Sequence, residues 1–389
     1  MKAVVCHQNE LTLEDVSHLT PSQGQTLLEV VRCGICGSDL HMQHSCDHMH
    51  ELTAKVGLKG VAKSTDRFVM GHEFCGRVLD YGPKTRKKFK TDTLVCAMPL
   101  LKVDQWGYQA TGLSPQASGG YAEQILVQSQ LMFAVPNGLH PDLATMTEPM
   151  AVALHAVRRS RIKKSEPAIV IGCGPVGLGV ILMLKAIGVK KIIASDFSPN
   201  RRRLAQLCGA DVVIDPKQSS PFESWKEYGL LGDASEAINY GIGIFEKIQS
   251  MHIPWWHAWR VADKLGALPK RPVIFECVGM PGILQQIING APLFSKIIGV
   301  GVCMQSDSIE PALALNKEIE IQFVIGYTPL EFRDALHMIA EGQIDCSPLI
   351  TGVVGLAGVK DAFQALGDPE QHAKILVAPQ KTGSDISAL

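Results

Sequence analysis

The sequence predicts an α/β protein in which a doubly wound parallel sheet forms one of two domains. Three observations support this fold class: the length of the chain, a glycine-rich turn between a strand and a helix, and the alternation of strands and helices after that turn. The chain has 389 residues, more than one hydrophobic core usually spans. We therefore expect two domains.

The composition indicates a compact protein, with 46% hydrophobic and 19% charged residues. A formal net charge of −1 argues against nucleic acid or an anionic membrane as the main partner. The chain has 11 cysteines, and no signal peptide is expected from its first residues. Reduced thiols and a cytoplasmic location are therefore expected.

The apolar stretch 168–189 is long enough to be read as a membrane span, since about 20 apolar residues cross a bilayer. Glycines, a proline and a lysine interrupt it. A strand, a glycine turn and a buried helix are the favoured interpretation.

The first predicted strand is Ala168 to Ile171, a short β-branched run typical of a buried parallel strand. A G-x-G-x-x-G motif follows, made of Gly172, Cys173, Gly174, Pro175, Val176 and Gly177. In this motif the first glycine allows a tight turn, the second lets the backbone approach a pyrophosphate, and the third lets helix and strand pack closely. The amino terminus of the predicted helix 178–187 would then present N–H groups to the phosphates. A tight turn in some other α/β fold is the alternative.

A second predicted strand, 191–195, ends at Asp196, at the offset expected for a ribose-binding carboxylate. Asp196 would accept hydrogen bonds from both ribose hydroxyls and repel a 2′-phosphate, which favours NAD over NADP. Arg201 could stack on adenine or pair with phosphate, or it could be a solvated helix charge. Four more strands are predicted to complete the sheet, at 211–214, 273–277, 296–300 and 319–325.

Potential metal ligands lie in two short segments, Gly-Ile-Cys-Gly-Ser-Asp-Leu-His at 34–41 and Gly-His-Glu at 71–73. A catalytic zinc needs three protein ligands and one open position. Cys36 and His72 can supply two ligands, and Glu148 is the best candidate for the third.

Each of these residues also has a purely structural interpretation. Glu148 could cap a helix with Pro149 at the first helical position. His72 could be a structural histidine. Cys33 and Cys36 form a C-x-x-C pair that could be redox-active, although the following Gly-Ser-Asp-x-His argues against this.

These motifs together resemble the zinc-containing medium-chain dehydrogenases, the superfamily of alcohol, sorbitol and threonine dehydrogenases. The resemblance covers nearly the whole chain and extends to 119–123, 148–156 and 276–279. It implies a β-rich, GroES-like catalytic domain formed by 1–149 and 327–389, and a Rossmann NAD-binding domain at 150–326. The active site would lie in the cleft between them.

The resemblance also implies roles for individual residues. Cys36, His72 and Glu148 would bind zinc, directly or with one carboxylate acting through water, and Glu73 would enter the coordination sphere transiently. Asp39 would orient His72, as metal-bound imidazoles commonly require. Zinc would act as a Lewis acid on the substrate oxygen, and the hydride would pass to the nicotinamide.

Two further side chains would move the proton. Ser38 would contact the substrate oxygen, and His41 would carry the proton toward solvent, which suits a side chain with a pKa near 6.5. A purely structural Ser38 is the alternative.

The chain departs from the superfamily pattern in three places. The segment 95–120 has only Cys96, so no structural zinc is expected. The polar run from His44 to His50 indicates a mobile loop near the cleft, with a metal site as the alternative. The long segment 217–271 holds a tryptophan-rich run, 252–259, which suggests a subunit interface or a cap over the cleft.

The function expected is oxidation of a secondary, polyol or aromatic alcohol with one zinc ion and NAD. A zinc-free quinone or enoyl reductase and a non-catalytic NAD-binding module are the alternatives. The apolar edge strand 319–325 needs a cover, and the superfamily uses this strand to join subunits. A homodimer or a dimer of dimers is therefore expected.

Overall fold

A computed structural model describes residues 1–251, 254–264 and 269–388, apart from the side chains of 224–226 and 263. Two compact units divide the chain: 1–155, 174–183 and 326–389 in the first, and 156–173 and 184–325 in the second. The catalytic and cofactor domains stay a prediction, because these units are defined by packing alone. His252 and Ile253 of the tryptophan-rich run lie outside the described residues.

The strands, in chain order, are β1 (Lys2–His7), β2 (Glu10–Asp15), β3 (Gln25–Gly34), β4 (Phe68–Val69), β5 (Glu73–Tyr81), β6 (Leu94–Ala97), β7 (Leu100–Val103), β8 (Gly107–Ala110), β9 (Gln124–Gln128), β10 (Met132–Ala134), β11 (Ala168–Ile171), β12 (Ile192–Ser195), β13 (Val212–Ile214), β14 (Val273–Glu276), β15 (Lys296–Gly299), β16 (Glu320–Phe323), β17 (Ile350–Val354) and β18 (Lys374–Val377). The helices are α1 (Gly37–Lys55), α2 (Pro141–Thr145), α3 (Thr147–Ser160), α4 (Pro175–Ala186), α5 (Pro199–Leu207), α6 (Ala234–Gln249), α7 (Trp255–Lys264), α8 (Ile283–Gly290), α9 (Pro311–Asn316), α10 (Pro329–Ala340) and α11 (Val359–Ala365).

The first unit is built on a seven-stranded sheet in the order β10-β6-β5-β3-β18-β17, with β9 also paired to β3. A three-stranded sheet, β2-β1-β4, and the β7–β8 hairpin complete its strands. Successive residues of a strand point to opposite faces, and in β3 Leu28 and Val30 are fully buried on the core side. Met70, Phe74 and Val78 belong to the same core.

The second unit contains a six-stranded parallel sheet in the order β13-β12-β11-β14-β15-β16. This order confirms the predicted doubly wound fold. Ile169, Ile193, Ile274 and Ile297 from neighbouring strands are almost fully buried and form its core. The last strand is shorter than predicted, at Glu320–Phe323, and it lies at the edge of the sheet.

Helix α1 replaces the mobile loop predicted around His44 to His50, so that prediction is wrong. The helix is kinked at Ser45. Met42 and Cys46 are buried, and the Cys46 thiol donates to the Ala62 carbonyl over 3.1 Å. Met42 and Cys46 are four residues apart, which is helical spacing, and their burial stabilises the segment as a helix. The loop was predicted because most of the surrounding residues are polar.

The apolar stretch 168–189 consists of β11, the glycine turn and α4. None of the helices in the described ranges combines the length and apolarity needed to cross a bilayer. The long segment 217–271 supplies α6 and α7, which meet through an edge-to-face contact of Phe245 and Trp255 with ring centroids 5.1 Å apart.

Candidate active site

The pairing of β3 with β5 and β18 brings the site together. Gly34, the last residue of β3, pairs with Glu73 at the start of β5 and with Leu376 of β18. A Cβ atom at Gly34 would clash with Oε2 of Glu73, so this position requires glycine. Two residues later, Cys36 caps α1 and thus lies beside the start of β5.

The ligand atoms of Cys36, His72 and Glu73 all lie within 4.8 Å of one another. They form the one such group of three or more that the described ranges contain. His72 and Glu73 are buried, and Cys36 is half-buried. Because tetrahedral zinc ligands lie roughly 3.5 Å apart, only small shifts would let these three atoms share one ion.

Asp39 lies behind the imidazole of His72. Its Oδ1 faces His72 Nδ1 at 3.3 Å, and its Oδ2 accepts hydrogen bonds from Tyr121 Oη (2.7 Å) and the Cys36 N–H (2.9 Å). Burial alone would raise the pKa of Asp39, but these partners outweigh it and lower the pKa. Burial would likewise lower the pKa of His72, but Asp39 and Cys36 raise it well above 6.5.

Glu73 is held by a lysine that the sequence analysis did not identify. Lys374 Nζ lies 2.8 and 2.7 Å from the two carboxylate oxygens of Glu73, and it also donates to the Ile35 carbonyl over 2.9 Å. Both side chains are 1% exposed. Burial would lower the pKa of Lys374, but the carboxylate raises it. The available signal was a lysine at the start of the otherwise apolar strand Lys374–Val377.

Glu148 lies outside the group of three but interacts electrostatically with His72 and Glu73. Burial raises the pKa of this carboxyl to about 7, although the nearby His72 and Tyr327 act in the opposite direction. Tyr327 precedes α10, whose Glu331 pairs with His155 of α3 at 2.9 Å. The contact between these helices therefore helps to hold Tyr327 near Glu148, an arrangement that the sequence did not reveal.

Ser38 and His41 lie one turn apart on α1. Ser38 Oγ is 3.3 Å from His72 Nε2, so it lies beside the candidate metal ligands. Nδ1 of His41 is buried and has no hydrogen-bond partner in the described part of the chain. Burial lowers the pKa of His41, which leaves its imidazole neutral near pH 7 and able to accept a proton.

The glycine turn has the expected backbone. Gly172 has a φ of +88°, and a Cβ atom there would lie 2.7 Å from Val278 Cγ2. A Cβ atom at Gly174 would meet no atom within 4 Å. Helix α4 begins at Pro175, which puts Val176 and Gly177 in its first turn.

Asp196 follows β12, where two backbone N–H groups orient its carboxylate. Oδ2 accepts from Cys173 (2.7 Å) and Oδ1 accepts from Ser198 (2.8 Å). Nε of Arg201 is buried and makes no hydrogen bond to any described residue.

Comparison with known proteins decides the family. Residues 22–137 match the alcohol dehydrogenase GroES-like domain, and residues 175–341 match the zinc-binding dehydrogenase domain. The chain is 31% identical to a Saccharomyces cerevisiae protein described as a probable (R)-acetoin-forming diacetyl reductase, over 92% of this chain and 85% of the relative.

The chain belongs to the zinc-containing medium-chain dehydrogenases. It is 29% identical to the (R,R)-butanediol dehydrogenase of Bacillus subtilis, over 97% of this chain and 100% of the relative. The crystal structure of the 2R,3R-butanediol dehydrogenase of B. subtilis superposes with a TM-score of 0.73 at 28% identity, covering 97% of this chain and 99% of that chain. The predicted superfamily is thereby confirmed, and the protein is an enzyme.

The donor set of this dehydrogenase suits zinc. It combines a thiol, an imidazole and carboxylates, which are the ligand types that zinc prefers. The buried Asp39 Oδ1 and His72 Nδ1 face each other without the alignment of a hydrogen bond. If Nε2 of His72 bound a metal, a small rotation of the ring would let Nδ1 form a well-aligned hydrogen bond with Asp39.

Replacement of Lys374 by methionine is expected to lower the free energy of unfolding of the metal-free enzyme by about 3–5 kcal/mol, because it leaves the buried Glu73 carboxylate unpaired. Urea unfolding measures this loss. Adding Glu73→Gln to Lys374→Met should recover part of it. Lys360→Met, which breaks an exposed pair with Glu10, is the control and should change little. Equal effects of the two lysine variants would contradict the role of the buried pair.

Replacement of Glu148 by glutamine is expected to stabilise the metal-free enzyme above pH 7. The folded-state pKa of about 7 exceeds the ordinary value of 4.5, so the free energy of unfolding falls as the pH rises between these values. The ionised carboxylate then costs about 3 kcal/mol. Urea unfolding of chelator-treated protein should show a gain that disappears below about pH 4.5.

The matched control is Glu331→Gln. Burial would raise the pKa of Glu331, but its Thr328 and His155 partners lower it, so its stabilising effect is present at neutral pH and is lost on acidification. Glu331→Gln should therefore destabilise the enzyme near pH 7. A Glu148→Gln variant that is less stable than the parent at pH 8 would contradict the assignment.

Proposed function

We propose that this enzyme transfers a hydride between a small secondary alcohol or polyol and NAD, with one catalytic zinc ion. The observation that carries this proposal is the buried grouping of Cys36, His72 and Glu73 beside Glu148. The relatives named as butanediol dehydrogenases, together with the sorbitol dehydrogenase of B. subtilis at 24% identity, support an alcohol with neighbouring hydroxyl groups.

Cys36, His72 and Glu148 would hold the zinc, with Glu73 as an alternative carboxylate. When bound, zinc supplies a Lewis acid that lowers the pKa of the substrate hydroxyl. Lys374 holds both oxygens of Glu73, which favours Glu148 as the resident carboxylate ligand. Asp39 would orient the ring of His72 from its Nδ1 side, and Tyr121 in turn holds Asp39 through a hydrogen bond.

Ser38 would accept the proton of the substrate hydroxyl, because its Oγ lies at the Nε2 side of His72. His41, on the same face of α1 one turn later, would take the proton onward. A neutral imidazole is needed for this step, and the pKa of His41, lowered by burial, provides it.

The adenosine half of NAD would be bound by the glycine turn and by Asp196. The N–H groups of Cys173 and Ser198 orient the Asp196 carboxylate, and its remaining lone pairs can accept from two ribose hydroxyls. The unpartnered Nε of Arg201 suits adenine or a phosphate. Bound NAD supplies the hydride acceptor.

A homodimer or a dimer of dimers is proposed to form through β16. Phe323 of this edge strand is 72% exposed and the nearby Ile325 is 88% exposed, so a partner strand would cover apolar surface. A reducing, cytoplasmic location is proposed from the 11 cysteines, which are all free thiols.

Replacement of Cys36 by alanine is expected to remove zinc and to lower the rate of alcohol oxidation with NAD by at least about a thousandfold, which corresponds to about 4 kcal/mol. Elemental analysis and a substrate panel of vicinal diols, secondary alcohols and aromatic alcohols measure both effects. The parent should contain one zinc ion per chain and lose activity on chelation.

The matched control is Cys33→Ala, which removes a buried thiol three residues away. This variant should keep its zinc and its activity. A redox pair would make both cysteines essential. An active enzyme without bound zinc would instead favour the quinone or enoyl reductase, and NAD binding without turnover would favour a non-catalytic module.

Replacement of Asp196 by alanine is expected to reduce the preference for NAD over NADP by at least about tenfold, or 1.4 kcal/mol, because the carboxylate no longer binds the ribose or repels a 2′-phosphate. The ratio of kcat/KM for the two cofactors measures this. Asp215→Asn, which alters a carboxylate paired with Arg202 at 3.2 Å, should leave the ratio unchanged. An unchanged ratio in Asp196→Ala would exclude the proposed ribose contact.

A further inference from the structure

The second unit contains a cavity of about 880 Å³ at the amino ends of the parallel strands. Its floor consists of the segments that lead into four neighbouring strands, β11, β14, β15 and β16, including Glu166, Arg271, Phe294 and Glu318. The dinucleotide motif follows the carboxyl end of β11, so this cavity lies at the opposite end of the sheet. Its volume falls within the range of about 300–1,000 Å³ that is typical of small-molecule sites.

Helices α6 and α7 of the long segment 217–271 form the other wall. Ala237, Tyr240, Gly241 and Ile244 line the cavity from one face of α6, and Trp259 lines it from α7. A Cβ atom at Gly241 would meet no atom within 4 Å. Glycine inside a helix lowers the stability of the helix by about 1 kcal/mol relative to alanine. Gly241 is therefore not explained by a steric clash, but the absence of a side chain there leaves the cavity open.

The cavity carries excess positive charge. Lys163, Lys264, Lys270 and Arg271 line it, opposed by the carboxylates of Glu166 and Glu318. None of the four cations forms an ion pair with a residue in the described ranges. Glu166 is already engaged, because its Oε2 accepts the backbone N–H of Lys163 over 2.8 Å. An anionic ligand would therefore find several free cationic partners.

The cavity also offers aromatic surface. Trp259 lines the cavity from α7 and Phe294 lines it from the floor, and both residues are half-buried. Phe294 has a φ of +62°, a left-handed conformation that costs roughly 1–2 kcal/mol for a residue with a Cβ atom. Its N–H donates to the Lys317 carbonyl over 2.8 Å, which helps hold this conformation.

We propose that this cavity is a second ligand site, distinct from the dinucleotide site, that binds a nucleoside phosphate. The aromatic side chains would stack on the base, and the three lysines and the arginine that line the cavity would bind the phosphates. A simple carboxylate would leave most of the four cations unpaired, and an uncharged aromatic ligand would use none of them.

Isothermal titration calorimetry tests this site on the zinc-loaded enzyme saturated with NADH, with ADP, GDP and inorganic phosphate as the probes. At least one nucleotide is expected to bind with one site per chain. Inorganic phosphate should bind at least about tenfold more weakly, because it lacks a base to stack.

Gly241→Leu should weaken nucleotide binding at least about tenfold by filling the cavity. The matched control is Gly243→Leu on the same helix, where a Cβ atom also meets no atom within 4 Å but the residue does not line the cavity. It should bind as the parent does. Both substitutions raise helix propensity, and circular dichroism checks that both variants fold.

The proposal is overturned if neither nucleotide binds, if inorganic phosphate binds as tightly as the nucleotides, or if Gly241→Leu binds as the parent does. If Gly241→Leu does not weaken nucleotide binding, the nucleotide binds at another site. The dinucleotide site is one such site if NADH does not saturate it. This outcome separates failure of the second site from failure of the proposed cofactor assignment.

Discussion

The active site depends on the pairing of β3 with its two neighbours, β5 and β18. This pairing places Glu73 and Lys374 side by side with almost no exposure to solvent. Burial of a carboxylate destabilises the folded state unless the carboxylate is paired with a cation and hydrogen-bonded. Lys374 provides both interactions for Glu73. The absence of a side chain at Gly34 leaves the space for this ion pair. Gly34 pairs with Glu73. Cys36 lies two residues after Gly34 and His72 lies one residue before Glu73, so this pairing brings the two side chains together.

The charge balance of the site explains why it suits a divalent cation. Asp39, Glu73, Glu148 and the Cys36 thiol can all become negative, whereas His72 and Lys374 are the cationic side chains around them. Burial raises the pKa of Glu148 to about 7 and the pKa of Tyr327 well above its usual value. The raised pKa values of Glu148 and Tyr327 favour the protonated forms of both groups, which limits the negative charge of the metal-free site. A zinc ion would replace these protons, since metal binding and deprotonation of the ligands are coupled.

The two ends of the parallel sheet present different chemistry. At the carboxyl ends, the glycine turn and Asp196 form a backbone-rich surface of the kind that receives a dinucleotide. At the amino ends, α6 and α7 form one side of a cavity that is lined by aromatic and cationic side chains. Helices α6 and α7 thus pack against each other in the second unit and also line this cavity.

The sequence by itself determined the doubly wound sheet, the glycine turn, the position of Asp196 and the choice of Cys36 and His72 as candidate ligands, whereas it favoured Glu148 over Glu73 as the third member of a group that the structure forms with Glu73. These features depend on local periodicity and on short motifs whose residue types have one main use. The tertiary structure alone decided the partners of those residues. Lys374 lies 301 positions from Glu73 along the chain, and Tyr327 lies far from Glu148. Strand pairing and helix packing bring such residues together, and neither leaves a short-range pattern. For the same reason the run from His44 to His50 resembled a loop. Its helix is held by Met42 and Cys46 packing against a core built from distant strands.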